Sequence, residues 1–389
     1  MTTNRPENSA TALNKVGVRV REQRIRKGFS LRGLATECGL SYSRISRIER
    51  NVASSIELIE IFRLAKALNV EATWILEGSP IRDRIVAAAR TSRAEEVDQA
   101  VDKLVDIFEI DAAFNEVGVP DRQKILLDKM PRNADQSPRD WGIETATRVR
   151  QDWGLQSGPL HNLISLIEKK TGVYVAIDDL GEEVDGVCLV DPENGVTIIA
   201  ASTRTPWERQ RFTLAHELGH LLAGELRIEA VEKNRPSKAE TAAHEFARNL
   251  LIPIQDLIVM NNASGGKVWD KMEIATLAWQ YQVSSKVAAI QLGRANIIAD
   301  HLVEEISDSG AKLWSTIGGW ESERDAEAGC ALQKRRPARL VRRAIKGWEI
   351  GLVSTKYIAK ATSQSEDDVA MIMPELIIDQ EFEPELIAN

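Results

Sequence analysis

A chain of 389 residues that is 43% hydrophobic and 28% charged can bury two or three cores, which excludes a disordered polypeptide. Its three cysteines, Cys38, Cys188 and Cys330, lie far apart and form no CxxC pair, so a disulfide framework is excluded and the cysteines read as packing residues in a reducing compartment. The net charge of −8 is uneven: residues 1–80 hold 13 Lys and Arg against 8 Asp and Glu, which leaves −13 for the remainder. A basic first segment on an acidic body points to a local nucleic-acid contact.

The opening "MTTNRPENSATALNK" is polar and lacks the apolar core of a secretory signal, and no apolar run is long enough to span a bilayer. The expected location is the cytoplasm, with no membrane partner. Residues 16–77 read as five short helices. Ser30 caps the second, "LRGLATECG", and Gly39 ends it in a left-handed conformation. In the third, "SYSRISRIERN", Ile45 and Ile48 face inward. The fourth, "SSIELIEIFRLAKALNV", opens with Ser54 and Glu57 at capping-box spacing. Residues 1–78 are therefore expected to form a helical bundle, followed by a helical connector at 79–137. In the connector, "AEEVDQAVDKLVDIFEI" places Val97, Val101, Leu104, Val105 and Phe108 on one face, which packs on its own domain or on a second copy.

Two prolines among polar residues in "KMPRNADQSPRDWG" mark a boundary before a domain at 138–300. Here "VYVAIDDL", "GVCLVD" and "GVTIIAA" are β-branched runs separated by turn residues, so a small sheet with hairpin turns is expected between helices. Residues 301–389 read as a helical region of unassigned role, with a basic patch at 334–343 expected to be a solvated face. The fold class is mainly α with a small β-sheet.

The chemistry concentrates in "RQRFTLAHELGHLLAGE". Thr205 is the expected cap, Pro206 the first helical residue and Glu208 the partner in a capping box. Helical periodicity puts Phe212, His216, Gly219, His220 and Ala223 on one stripe, so both imidazoles can reach one ion. Glu217 lies about 100° round the helix, beside the ion rather than bound to it, where it can take a proton from water. Zinc suits such a pair and lowers the pKa of water it holds to about 7. The plain alternative is an amphipathic helix that carries two histidines. A catalytic zinc needs a third protein ligand, and "SKAETAAHEFARNLLIP" offers Glu240. Ser237 and Glu240 also fit a capping box, but Glu240 lies on the apolar stripe of its helix, where an unpaired carboxylate is costly. His244, one turn on, is a rival ligand or a neighbour of the ligands.

These motifs carry a resemblance. "RFTLAHELGHLL" with "ExxAxxFAxxLLxP" from Glu240 to Pro253 resembles the ImmA/IrrE-type zinc metallopeptidases over about residues 138–297. The resemblance implies a gluzincin-like site in which His216, His220 and Glu240 bind Zn2+ and Glu217 is the general base. That family usually has Asn where this chain has His244. "FSLRGLATECGLSYSRISRIERN" resembles the XRE/Cro-type helix-turn-helix over about residues 16–77, with Leu31 where members often carry Gln. It implies that Ser41, Tyr42, Ser43, Arg44, Ser46 and Arg47 face an operator in double-stranded DNA, read by a homodimer on two half-sites. The connector helix near 95–108 is a candidate pairing surface. Together the two resemblances imply a DNA-binding regulator with an endopeptidase that acts on a helix-turn-helix repressor or a related protein in a stress or mobile-element response. The alternative is a repressor or antitoxin-like protein whose peptidase fold senses a ligand or binds a partner without proteolysis.

Overall fold

The computed structural model describes residues 9–68, 70, 72–89, 94–133, 135–224, 237–265, 268–306 and 310–378. The chain is mainly α with one small sheet, as expected, and divides into two compact units, Met1–Asp83 and Arg84–Asn389.

The first unit contains α1 (Ser9–Arg26), α2 (Leu31–Cys38), α3 (Tyr42–Glu49), α4 (Leu58–Leu68) and α5 (Ala72–Glu77) around Val20, Leu34, Ile45, Ile48, Leu64, Leu68 and Ile75. The Ser30 hydroxyl accepts from the Gly33 N–H at 3.0 Å, and Gly39 at φ 64° ends α2, so the expected turn between α2 and α3 is present. The start of α4 departs from expectation. The Glu60 carboxylate, rather than a Ser54–Glu57 box, accepts from the Glu57 N–H at 2.8 Å, and the helix begins at Leu58. Two arginines brace the unit: Arg24 makes a two-pronged pair with Glu49, and Arg19 donates to the Ile75 and Leu76 carbonyls.

The boundary between units falls in α6 (Pro80–Ala89), and α7 (Ala94–Glu116) opens the second unit. Next come α8 (Pro138–Asp152), α9 (Leu163–Thr171), β1 (Tyr174–Asp178), β2 (Gly186–Val190), β3 (Thr197–Ser202), α10 (Trp207–Ala223) and α11 (Lys238–Leu251). They are followed by α12 (Ile254–Ala263), α13 (Lys271–Tyr281), α14 (Ser285–Arg294), α15 (Asp300–Glu305) and α16 (Ala311–Gly318). The last are α17 (Glu321–Ala331), α18 (Ala338–Glu349), α19 (Thr355–Thr362) and α20 (Glu366–Ile378). β2 and β3 form the expected hairpin, but β3 lies between β1 and β2 and runs parallel to β1, so β1 and β2 are not joined as neighbours. All five residues of β1 are buried, which suits a parallel strand covered on both faces.

The basic run at 334–343 is not a solvated face. Lys334 meets Asp178 at 2.6 Å, Arg335 meets Glu168 at 2.9 Å, Arg336 meets Asp106 at 2.6 Å, and Arg343 pairs with Asp111 where both side chains are fully shielded from solvent. Arg335 also exchanges both main-chain bonds with Ile177 and so closes the outer edge of β1. The Asp111 carboxylate accepts from the Tyr174 hydroxyl at 2.6 Å, and Arg343 donates to the Pro120 and Val119 carbonyls and to Asn115.

The connector face is likewise occupied. Val101, Leu104 and Phe108, joined by Ala100 and Ile107, are buried within the unit, and α7 packs on α18, α19 and β2. The side chain of Val97 lies outside the described ones. Val105, on the same face, is half-buried, and at Val101, Leu104 and Phe108 no apolar surface of α7 is left for a second copy. Of the cysteines, Cys38 is buried as a packing residue, Cys188 is half-buried and Cys330 is exposed, so the packing reading fails for Cys330.

Removing one member of a buried ion pair strands the other charge, a loss of about 3–5 kcal/mol. Arg343→Leu is therefore expected to lower the thermal unfolding temperature of the second unit sharply. Arg342→Leu, on the exposed side of the same helix, is expected to leave it unchanged in the same melt.

Candidate metal centre and nucleic-acid interface

The centre is built where α10 crosses α11. α10 starts one residue later than its sequence suggests: Pro206 takes the cap position, and the Thr205 hydroxyl donates to the Ser202 carbonyl at 3.0 Å. The shift leaves the stripe intact. Gly219 lets α11 approach closely, because a Cβ there would lie 3.0 Å from the Phe246 ring and 3.2 Å from the Ala243 Cα. At the start of α11 the Ser237 hydroxyl accepts from the Glu240 N–H at 3.1 Å. The Glu240 carboxylate does not complete the capping box. It turns across to α10, with Oε2 3.3 Å from His216 Nε2 and Oε1 3.3 Å from His220 Nε2.

The two Nε2 atoms stand 3.0 Å apart. Atoms bound to one tetrahedral ion at about 2.0–2.1 Å are roughly 3.3–3.4 Å from each other, so this set fits zinc with little adjustment. His216, His220 and Glu240 form a cluster whose ligand atoms all lie within 4.8 Å of one another, a group among the described residues that could hold a metal ion. Nε2 of His216 faces the other ligands, and its buried Nδ1 has no hydrogen-bond partner among the described residues. Hydrogen bonds from His216 and His220 hold the Glu240 carboxyl well below the usual carboxylate range.

Glu217 is not part of the cluster. Burial pushes its carboxyl upward, while His216, His220 and the Cys188 main-chain N–H favour the charged form. Bonds from Ser202 N to Asp185 O and from Asp191 N to Val196 O fix the hairpin register. The main-chain groups of Gly186, Cys188 and Val190 therefore face away from β3. Glu217 thus lies against the outer edge of β2, a neighbour about thirty residues away in the chain that local spacing does not reveal. Desolvation and Glu217 also push the Cys188 thiol up.

His244 stands beside the cluster rather than in it. Its ring lies 4.5 Å from that of His216 and stacks on Phe212 at 5.8 Å, and burial lowers its pKa to about 4, so it is neutral near pH 7.

The expected DNA-facing residues divide. Ser41, Tyr42, Ser43 and Arg47 are exposed and Ser46 is half-buried. The Ser41 hydroxyl caps α3 by accepting from the Arg44 N–H at 3.2 Å. Arg44 is engaged inside the unit: it donates to both Glu60 carboxylate oxygens and to the Ser55 carbonyl, so its guanidinium does not point outward as expected. Arg32 on α2, which sequence reasoning passed over, lies 5.9 Å from the centre of the Tyr42 ring and extends the exposed surface.

A small helical unit whose capped α3 is exposed is thus joined to a unit with a two-histidine, one-glutamate cluster. Residues 20–75 match the family model for Helix-turn-helix, and residues 168–292 match that for Peptidase_M78, the IrrE N-terminal-like domain. The chain therefore joins a DNA-binding helix-turn-helix to a domain of a metallopeptidase family. The second match contains every member of the cluster and begins within α9, some thirty residues after position 138. None of the curated proteins matches the chain.

Arg44 holds the Glu60 carboxyl below its ordinary value of 4.5, so the pair stabilises the unit above that pH and loses its contribution as pH falls through the lowered value. Arg44→Ala is expected to cost the first unit about 2 kcal/mol near pH 7 and to flatten this acid-side loss. Arg47→Ala is expected to change neither in chemical denaturation followed across pH.

Proposed function

We propose that the chain is a cytoplasmic, DNA-binding transcription regulator whose second unit is a zinc-dependent endopeptidase acting on a repressor-like protein in a stress or mobile-element response. The observation that carries the reading is the convergence of His216, His220 and Glu240 with Glu217 held beside them. We assign operator binding to residues 1–78, the connector to 79–137, the peptidase to 138–300 and a structural role to 301–389. The regulator acts as a homodimer on an operator in double-stranded DNA.

His216, His220 and Glu240 would hold the metal, two neutral nitrogens and one anionic oxygen of the kind zinc accepts. Bound Zn2+ supplies Lewis acidity and makes water in the site more acidic. Glu217 is the general base. Its raised proton affinity brings it closer to neutral pH, so it accepts a proton from attacking water and returns it to the leaving amine. The outward N–H and C=O groups of Gly186 and Val190 offer main-chain partners to an extended peptide alongside Glu217. A substrate that must be extended is an exposed loop or linker, the kind of segment that joins domains in a repressor.

A second reading, partner binding without proteolysis, gives Glu217 no task. A buried carboxyl without one is a liability that a binding module is free to lose. For the DNA half, support comes from the exposed Tyr42, Ser43, Arg47 and Arg32 at the front of α2 and α3.

Glu217→Gln is expected to bind as much zinc as the wild type and to lose cleavage of a helix-turn-helix repressor by at least about a hundredfold in a gel-based time course. Equal cleavage by both proteins would contradict the assignment. Arg47→Ala is expected to weaken retention of duplex DNA and to lower the salt slope by about one, measured across a salt titration.

A further inference from the structure

α4 carries two faces. Glu60, Ile61, Leu64, Ala65 and Leu68 are buried in the first unit, whereas Leu58, Ile59 and Phe62 are 62, 53 and 54% exposed. Three large apolar side chains side by side on one short helix are unlike apolar residues scattered singly over a surface, and they mark a contact site. Charge borders the patch asymmetrically. Glu57 stands just before the helix, and the exposed Arg63 and Lys66 follow Phe62 further along it.

This order is self-complementary. When two copies of α4 lie antiparallel about a two-fold axis near Phe62, the acidic end of each meets the basic end of the other: Glu57 faces the partner's Lys66 while Phe62 packs on the partner's Phe62. A two-fold interface requires this reciprocity, in which residue i meets j and j meets i. Of the α7 face that could have paired copies, Val101, Leu104 and Phe108 are buried within their own unit and Val105 is half-buried. Reading two half-sites also needs two copies of the first unit.

We propose that the exposed face of α4, centred on Phe62, is where two copies of this chain pair. The proposal rests on the reading of the first unit as an operator-binding module and names its partner. Three half-exposed side chains fall short of the roughly 800 Å2 that each partner of a standard stable interface buries, so pairing in free solution is weak and operator binding completes it.

The test uses the full chain with the exposed Cys330 replaced by Ser, so that an introduced thiol reports alone at the surface. Phe62→Cys is expected to give a disulfide-linked dimer under mild oxidation, while Ile25→Cys, equally exposed on α1, is expected to give little. In sedimentation over a concentration series, Glu57→Lys and Lys66→Glu are each expected to weaken self-association about tenfold, and the double variant to restore it. Cross-linking at position 62 no greater than at position 25 overturns the proposal, as does a double variant no better than either single one. A monomeric chain whose Phe62→Cys thiol resists alkylation shows that its own second unit covers the face, and overturns it equally. The operator reading fails separately: a chain that pairs through α4 yet shows no salt-dependent retention of duplex DNA contradicts that reading and leaves the pairing in place. Duplex retention by a chain that never cross-links at position 62 contradicts the pairing alone.

Discussion

Two imidazole nitrogens and a carboxylate gathered within 3.3 Å of each other are the constraint on which the second unit is built. Lone pairs from three groups cannot be turned toward one point in a protein interior unless protons or a cation lie between them. Helix geometry brings His216 and His220 together without cost, because four residues return to the same side of α10. The third group needs a second helix at close range. Gly219 permits that approach, Phe246 and Ala243 fill it, and Ser237 fixes the start of α11 so that Glu240 turns inward rather than back onto its own helix.

The sheet beneath α10 is held from the opposite end of the chain. Arg335 closes the edge of β1, and Lys334, Arg335, Arg336 and Arg343 tie the C-terminal helices to Asp178, Glu168, Asp106 and Asp111. The Gln210 side chain on α10 donates to the Ala331 carbonyl at 2.8 Å, and Trp320 stacks on Trp279, itself edge-on to Trp207 of α10. Residues beyond 300 are thus part of the scaffold that fixes the helix bearing the histidines. With one sheet edge closed by Arg335, the outer side of β2 is where Glu217 meets the Cys188 N–H.

What was legible in the sequence was whatever local spacing encodes. His216, Glu217 and His220 follow from one helical turn, Glu240 from its place on an apolar stripe, and Ser30, Gly39 and Ser237 from capping chemistry. Partners distant in the chain were not legible. The basic run at 334–343 looked solvated because its acids lie well over a hundred residues upstream, and Arg44 looked outward-facing because Glu60 sits on the next helix. Strand order was hidden for a related reason: alternation and turn residues mark β1, β2 and β3 but carry nothing about which pairs with which. The start of α4 moved by a few residues and that of α10 by one, because the Glu57 N–H is taken by Glu60 and the Thr205 hydroxyl donates to the Ser202 carbonyl.

Metal analysis combined with X-ray absorption at the zinc edge, on chain purified without added metal, tests the convergence of the three side chains most directly. One zinc per chain, with only nitrogen and oxygen in its nearest shell at about 2.0–2.1 Å, is the predicted result. A chain that holds no stoichiometric metal after zinc is supplied, or one whose zinc shows sulfur at about 2.3 Å, would contradict it.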